Sequence, residues 1–435
     1  MAASACAICP GSKMPFAAGS EALRLPMISS KRSPLGCNII TSPVTLDLNL
    51  YSMNIAFWER LGRKRATTLH ATPLLRWLAW LVLAALLGGC ADAPYYAQSV
   101  RGHWALMSAA RPIDDWLQRP DASDALRQRL TLVQSIRHFA ATDLHLPDNV
   151  SYTRYADLQR RYAVWNVVAA PADSLTLKTW CFPVAGCVGY RGYFDKTQAL
   201  ALAATLRAQG LEVSVYGVPA YSTLGWSNWL GGDPMLNTFV NYPDGELARL
   251  MFHELAHQVV YASDDTAFNE SFATAVERLG GALWLARQAT PQARQAFGVF
   301  DQRRRQFRAL TRSTRASLIR VYKENKPLAL INKVQVAMKK KVMADFRADY
   351  ATLKDSWDGY SGYDAWVAEA NNAAFAAQAA YDEWVPAFEA LFDQQGRDWR
   401  RFYDAVGQLA RQPAPERKRN LLALCNGPVL CNPPL

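Results

Sequence analysis

Histidine is scarce in this chain: six residues in 435, His70, His103, His138, His145, His253 and His257. With so few, a chance HExxH pentapeptide has a probability on the order of 0.002 from composition alone. Cysteine is sparse as well, and beyond position 90 two close pairs remain, Cys181 with Cys187 and Cys425 with Cys431. Neither pair has CxxC spacing or histidine pairs nearby, which argues against a structural zinc site. Two short-loop disulfides fit an oxidising compartment, with buried thiols as the other reading. No internal repeat is visible. Long apolar runs are also missing: Trp77–Leu87 is too short to span a bilayer comfortably.

That short run has its own meaning. Arg60, Arg63, Lys64, Arg65 and Arg76 form a positive lead, the apolar core follows, and Gly88-Gly89-Cys90 closes it as a cleaved export signal closes. Leu87-Gly88-Gly89-Cys90 is similar to a bacterial lipobox, in which Cys90 becomes the lipid-modified first residue of the mature protein. Asp92 stands at the third mature position rather than the second, so outer-membrane attachment on the periplasmic side is expected. Met53 is read as the start; residues 1–52 resemble no signal and no fold, and 53–89 read as the signal peptide.

The formal charge is +11; nine Lys or Arg and three acids precede Cys90, leaving +5 for the mature part, much of it between Arg303 and Lys341. Nucleic acid is a poor partner for an exported lipoprotein. The basic segment is read as facing anionic lipid or as a solvated helix surface.

Against this background the residues that are present stand out. His253-Glu254-Leu255-Ala256-His257 places two imidazoles four residues apart, on one face of a helix, where both reach one ion. A catalytic zinc takes three protein ligands and keeps a position for water, and Glu254 is the base beside it. Asn269-Glu270-Ser271-Phe272-Ala273 follows. The first helix is expected to start at Asp244 and run to about Tyr261; Asp265 caps a second over Thr266–Leu279. His257 and Glu270 are equidistant from a turn between Ser263 and Asp264, so antiparallel helices set them side by side and Glu270 becomes the third ligand. Asp264 and Asp265 compete for that role but suit the turn better. Thr274 and Glu277 are at helical spacing to orient the histidines from behind, although Glu277 reads more simply as a solvated helix acid.

The fold class expected is α+β, a mostly helical zinc-peptidase-like domain over 90–411 with a small mixed β-sheet before the HExxH helix. Helical patterning covers Tyr95–Ala140; strands are expected at 162–170, 179–184, 190–194, 211–216 and 237–242, with a helix over Thr197–Gln209. A basic helical hairpin is inserted at about 300–354, broken at Pro327. Further helices are expected over Ala365–Ala379, Asp382–Phe392 and Trp399–Leu409, before a tail at 412–435 tied by its cysteine pair. An edge strand near the metal, 211–216 or the segment after Tyr221, would receive substrate backbone.

Several stretches together resemble the putative bacterial zinc aminopeptidase family of predicted lipoproteins: Trp165-Asn166-Val167-Val168-Ala169-Ala170-Pro171, Trp180 to Cys187, Tyr190-Arg191-Gly192-Tyr193-Phe194, Tyr221 to Trp226, the HELAH and NESFA pair, Asn371-Asn372-Ala373 and Val385-Pro386-Ala387-Phe388. The likeness covers roughly 90–410. More broadly the chain is similar to gluzincins, with a shorter gap before the glutamate and no Gly-Ala-Met-Glu-Asn segment for the substrate's free amine. The resemblance implies a zinc peptidase, by the family's name an aminopeptidase, using one Zn2+ and a peptide substrate. Glu254 then passes a proton from water to the leaving amine. Tyr381 is chosen over Tyr360 and Tyr363 as the transition-state donor, and Asn371 and Asn372 are candidates to bind substrate backbone. Two alternatives stand: a zinc-bearing scaffold or regulatory lipoprotein with little turnover, and an endopeptidase acting on cell-envelope peptides.

Overall fold

The computed structural model describes residues 92–182, 186–223, 231–324, 329–379, 381 and 383–425. The 1–52 extension, the 53–89 signal, Cys90, Pro327 and Cys431 lie outside the described residues. The fold is α+β and mostly helical, as its patterning predicts.

Helices α1 (Ala93–Ala109), α2 (Ile113–Gln118) and α3 (Asp124–Thr142) open the described chain, with the two-residue strand β1 (Arg111–Pro112) between the first two. The Ser123 hydroxyl caps α3 by accepting from Leu126 N–H at 3.2 Å. β1 pairs antiparallel with β2 (Arg154–Ala156).

The main sheet is antiparallel, in the order β6 (Arg191–Tyr193), β3 (Val164–Pro171), β7 (Leu211–Val218). β3 is an almost unbroken apolar run because both of its faces are covered. Val167 and Ala169 meet Ala199, Ala203 and Leu206 of α4 (Lys196–Ala208). Val168 and Ala170 meet Ala373 on the other side. β7 is therefore an edge strand. β4 (Trp180–Phe182) and β5 (Gly186–Val188) form a hairpin closed by the Cys181–Cys187 disulfide. β8 (Met235–Leu236) pairs parallel with β2.

The expected strand over 237–242 does not form. After β8 the chain turns, with Phe239 and Val240 both donating to the Leu236 carbonyl. Asn237 accepts from Leu158 N–H at 2.9 Å through its side chain. Phe239 and Val240 are apolar because the turn is buried, not because it pairs.

Next come α5 (Asp244–Ala256) and α6 (Thr266–Arg287). α5 stops five residues before Tyr261, since Gln258 and Val259 donate to carbonyls three residues back and tighten the chain out of the α register. Asp265 caps α6 as expected, accepting from Phe268 N–H at 3.0 Å. α6 runs through Gly280 and Gly281, where the sequence suggested a stop. The glycines serve close packing instead: a Cβ on Gly281 would lie 2.5 Å from Arg249 Cγ.

The hairpin consists of α7 (Pro291–Glu324) and α8 (Ala329–Ser356). It owns a separate apolar cluster including Phe307, Leu318, Phe346, Tyr350 and Trp357. The helix expected over Ala365–Ala379 is split into α9 (Asp364–Glu369) and α10 (Asn372–Ala379), because Asn371 Oδ1 accepts from Ala374 N–H and starts a new helix. α11 (Val385–Gln394) and α12 (Trp399–Ala410) back α6 through the Phe268, Phe272, Phe388 and Phe402 rings. The tail contains a helix, α13 (Ala414–Leu424), whose Leu421 enters the core and whose Arg417 pairs with Asp265 at 2.9 Å. Among the described residues, no helix is long and apolar enough to cross a membrane.

The link between α5 and α6 is pinned by Asn269. Its buried side chain accepts from Ala262 N–H at 2.7 Å and donates to Ala262 C=O at 2.8 Å. Asn269→Ala strands both backbone groups, so stability should fall by about 2–3 kcal/mol, read from urea unfolding midpoints. An unchanged midpoint would show that water satisfies them.

Candidate metal centre

α5 carries His253 and His257 on one face, and α6 returns antiparallel to bring Glu270 between them. His257 Nε2 lies 3.2 Å from His253 Nε2, and one oxygen, Glu270 Oε2, lies 3.3 Å from His253 Nε2 and 3.6 Å from His257 Nε2. Ligands at zinc's ~2.05 Å bonding distance occupy tetrahedron edges of about 3.3 Å. The three donors thus already have the spacing that an ion in their midst would impose, and they form a group able to hold one. All three are buried. Burial works against ionisation of Glu270, but the two imidazoles beside it, His257 foremost, outweigh it and hold the carboxyl down to about 2. His257 is lowered, first by burial.

The tautomer of His253 is set from behind. Its Nδ1 faces Glu277 Oε2 at 3.0 Å. A carboxylate only accepts, so Nδ1 carries the proton and the Nε2 lone pair points at the cluster. Glu277 is not a solvated acid. It is wholly buried, and its other oxygen receives Arg249 Nη2 at 2.6 Å. Desolvation alone would raise its pKa, yet Arg249 and His253 bring it to about 2. Arg249 also meets Asp301 at 3.2 Å, and Arg304 spans Asp301 at 2.6 Å and Glu246 at 2.7 Å. An alternating network thus runs from His253 into α7. Sequence reading offered Glu277 for this orienting role but missed Arg249, Asp301 and Arg304 behind it, although Glu246, Arg249 and His253 share a helical stripe at i, i+3 and i+7.

Glu254 is 1% exposed, and its carboxyl is pushed up to about 8, first by burial, with Glu270 and Asp233 adding to the rise and His253 and Ser222 opposing it. Asp233 accepts from the Ser222 hydroxyl at 3.1 Å and from the Thr223 hydroxyl at 2.7 Å. Neither Ser222 nor Asp233 was singled out from the sequence. They follow β7 and precede β8, with no helical spacing to mark them.

Tyr381 stacks on His253, ring centroids 6.3 Å apart at 28°. Tyr363 instead stacks on Phe307 at 4.0 Å, and Tyr360 packs under Arg303. Asn371 and Asn372 are structural. Asn371 donates to Val213 C=O, while the buried Asn372 donates to Pro171 and Ser174 carbonyls and accepts from Tyr322. Thr274 does not reach the histidines; among the described residues its buried hydroxyl has no hydrogen-bond partner. Asp264 accepts from Cys187 N–H at 2.6 Å, and Asp265 caps α6, so neither joins the cluster.

A mostly helical α+β chain with a buried His-His-Glu cluster able to hold a metal defines a class compatible with metal-dependent peptidases. The chain belongs to the putative aminopeptidase family, which matches residues 94–421. No curated protein and no solved structure matches it.

Two measurements test the electrostatics. Glu277→Gln removes the charge that orients His253 and should weaken metal binding by roughly 10–100-fold in a chelator competition; equal affinity would dismiss the orienting role. Glu246 is pushed up to about 7 from 4.5, by burial first and against the pull of Arg249. A raised carboxyl contributes stability that is present below pH 4.5 and lost as pH rises through 7. The lowered His257 acts oppositely, so the comparison must be with Glu246→Gln. In metal-free protein, the stability of wild type relative to that variant should decline between about pH 4.5 and 7. A pH-independent difference would contradict the burial effect.

Proposed function

We propose that the chain is a zinc-dependent peptidase, in the first place an aminopeptidase. The observation that carries this reading is the convergence of His253, His257 and Glu270 at tetrahedral spacing beside Glu254. His253, His257 and Glu270 would hold one Zn2+, which when bound supplies Lewis acidity to the scissile carbonyl and to water. Glu277 keeps His253 in the ligating tautomer. Glu254 takes a proton from the attacking water and delivers it to the leaving amine. A positive charge at the cluster favours the carboxylate form this role needs. Tyr381, against His253, is assigned as the donor to the developing oxyanion.

β7 is the strand we assign to hold the substrate backbone. It is a sheet edge, and its Val213 carbonyl faces away from β3, toward Asn371. By the two-residue alternation of a strand, Val215 and Gly217 share that outward direction. The Val213 carbonyl is taken by Asn371 and Arg207, so Val215 and Gly217 are the positions assigned to a peptide. A strand edge also accepts the middle of a peptide, and the chain has no Gly-Ala-Met-Glu-Asn segment. Endopeptidase action on cell-envelope peptides is therefore the second reading. The sorting of the protein belongs to the same proposal: Met53–Gly89 as signal, Cys90 lipidated, and the enzyme on the periplasmic side of the outer membrane, supported by the signal layout alone.

Glu254→Gln should retain one zinc per chain while peptide hydrolysis falls by roughly 10²–10⁴-fold. Undiminished turnover would remove Glu254 as the base, and bound zinc without any cleavage in wild type would favour the scaffold role. Peptides with free and N-acetylated termini separate the two peptidase readings: an aminopeptidase leaves the acetylated set intact.

A further inference from the structure

Behind Tyr381 lies a cavity of about 100 Å3, bounded by β7, α7, α9 and α10. At roughly 10–15 Å3 per water it has room for several solvent molecules, the space of one large side chain. We propose that it is the specificity pocket of the peptidase and takes a large neutral side chain, aromatic or aliphatic, of the residue beside the scissile bond. This rests on the peptidase reading above and adds its substrate class.

Four observations support it. The pocket adjoins the candidate centre, with Tyr381 as the shared wall: it lines the cavity and stacks on His253. Its far walls are aromatic: Phe307, Tyr363 and Trp366, with Phe307 and Trp366 meeting edge to face at 5.3 Å. Such rings favour another aromatic or an aliphatic group. Opposite them the lining is small, Gly217, Ala374 and Ala377, so the space is not filled from the protein's own side.

Charge supplies the third argument. Among the described residues no carboxylate lines the pocket, while Arg304 and Arg308 do. Arg304 is already spent on Glu246 and Asp301, and Arg308 stands near enough to Glu246 and Glu277 to favour their carboxylate forms. These two arginines therefore serve the buried network. An entering ammonium or guanidinium would find no counter-ion and two like charges, which excludes lysine and arginine side chains. The fourth is Gln378. The residue lines the pocket, and its buried Oε1 has no hydrogen-bond partner among the described residues, an acceptor that a small turn of the side chain would offer to an N–H of the bound peptide.

The test uses the zinc-loaded full-length protein with a mixed-sequence peptide library, cleavage sites being read by mass spectrometry. Phe, Tyr, Trp or Leu should be enriched at one position flanking the cut by at least tenfold over Lys and Arg. Ala377→Phe, which fills the cavity, should lower the Phe-to-Ala ratio of kcat/KM at that position at least tenfold. A calorimetric titration of phenylalaninamide into metal-free protein gives a readout independent of turnover, and Ala377→Phe should weaken that binding at least fivefold. If Ala377→Phe fails to fold, Trp366→Ala removes a ring from the opposite, aromatic wall and should reduce the ratio in turn. Cleavage with Lys or Glu preferred, or with a ratio unmoved by the variants, overturns the pocket and leaves the peptidase standing. No cleavage of any peptide sinks the peptidase reading, and the titration then decides separately whether the cavity binds a neutral side chain.

Discussion

Glu277 takes the Nδ1–H of His253 on one oxygen and Arg249 Nη2 on the other, with no exposure to solvent. Taking such charges out of water costs several kcal/mol for each ion, and only close, well-aligned partners offset it. The contact therefore constrains everything around it. α5 and α6 must approach until Arg249's stem passes over the backbone of α6, and Gly281 is the residue that permits this. Removing any one member would leave a buried charge unmatched. The orientation of His253 is thereby tied to the integrity of the helix pair, so a ligand geometry is held by folding energy and not by the ion alone.

The opposite end of the pair is set by different means. Glu270 reaches the histidines only if the turn after α5 has one length and one direction. Asn269 bridges Ala262, Asp265 caps α6, and Arg417 of α13 holds Asp265 from outside. Asp264 adopts a positive φ of 63° and accepts from Cys187 N–H in the disulfide hairpin. Sheet, helix pair and C-terminal helix thus meet at one turn. This explains why two aspartates, each a chemically reasonable third ligand, are not part of the cluster: each is held by backbone it must support.

Much of this was legible because it is local. Four-residue spacing places His253 and His257 together, and equal distances from a turn place Glu270 beside them, whatever the rest of the chain does. β3 was readable because its apolar run is covered on both faces. What escaped depends on contacts distant in sequence. Glu277 looks like any helix acid until Arg249, on another helix, is seen against it. Asn237–Tyr242 has strand-like composition, yet its apolar residues are buried by a turn. Asn371 and Asn372 carry no sign in sequence that their amides will tie α10 to β3 and β7. Gly280 and Gly281 resembled a helix end because a glycine's role in close packing depends on the partner surface, which sequence spacing does not reveal.

α7 joins the two halves of the argument. Arg304 and Phe307 lie three residues apart on this helix; the first completes the charge network leading to His253, and the second forms a wall of the cavity beside Tyr381. A shift of α7 large enough to widen that cavity would also pull Arg304 from Glu246 and Asp301 and leave carboxylates buried without counter-charge. The cost is several kcal/mol, so the pocket wall is rigid for electrostatic reasons although its surface is apolar. The long basic hairpin is accordingly more than an appended arm. Its outer part is tied to the sheet side through Tyr322 to Asn372 and through Lys339 to Glu212 and the Ala172 carbonyl. The segment between Asp301 and Arg308 is bound to the centre by charge on one side and by ring packing on the other.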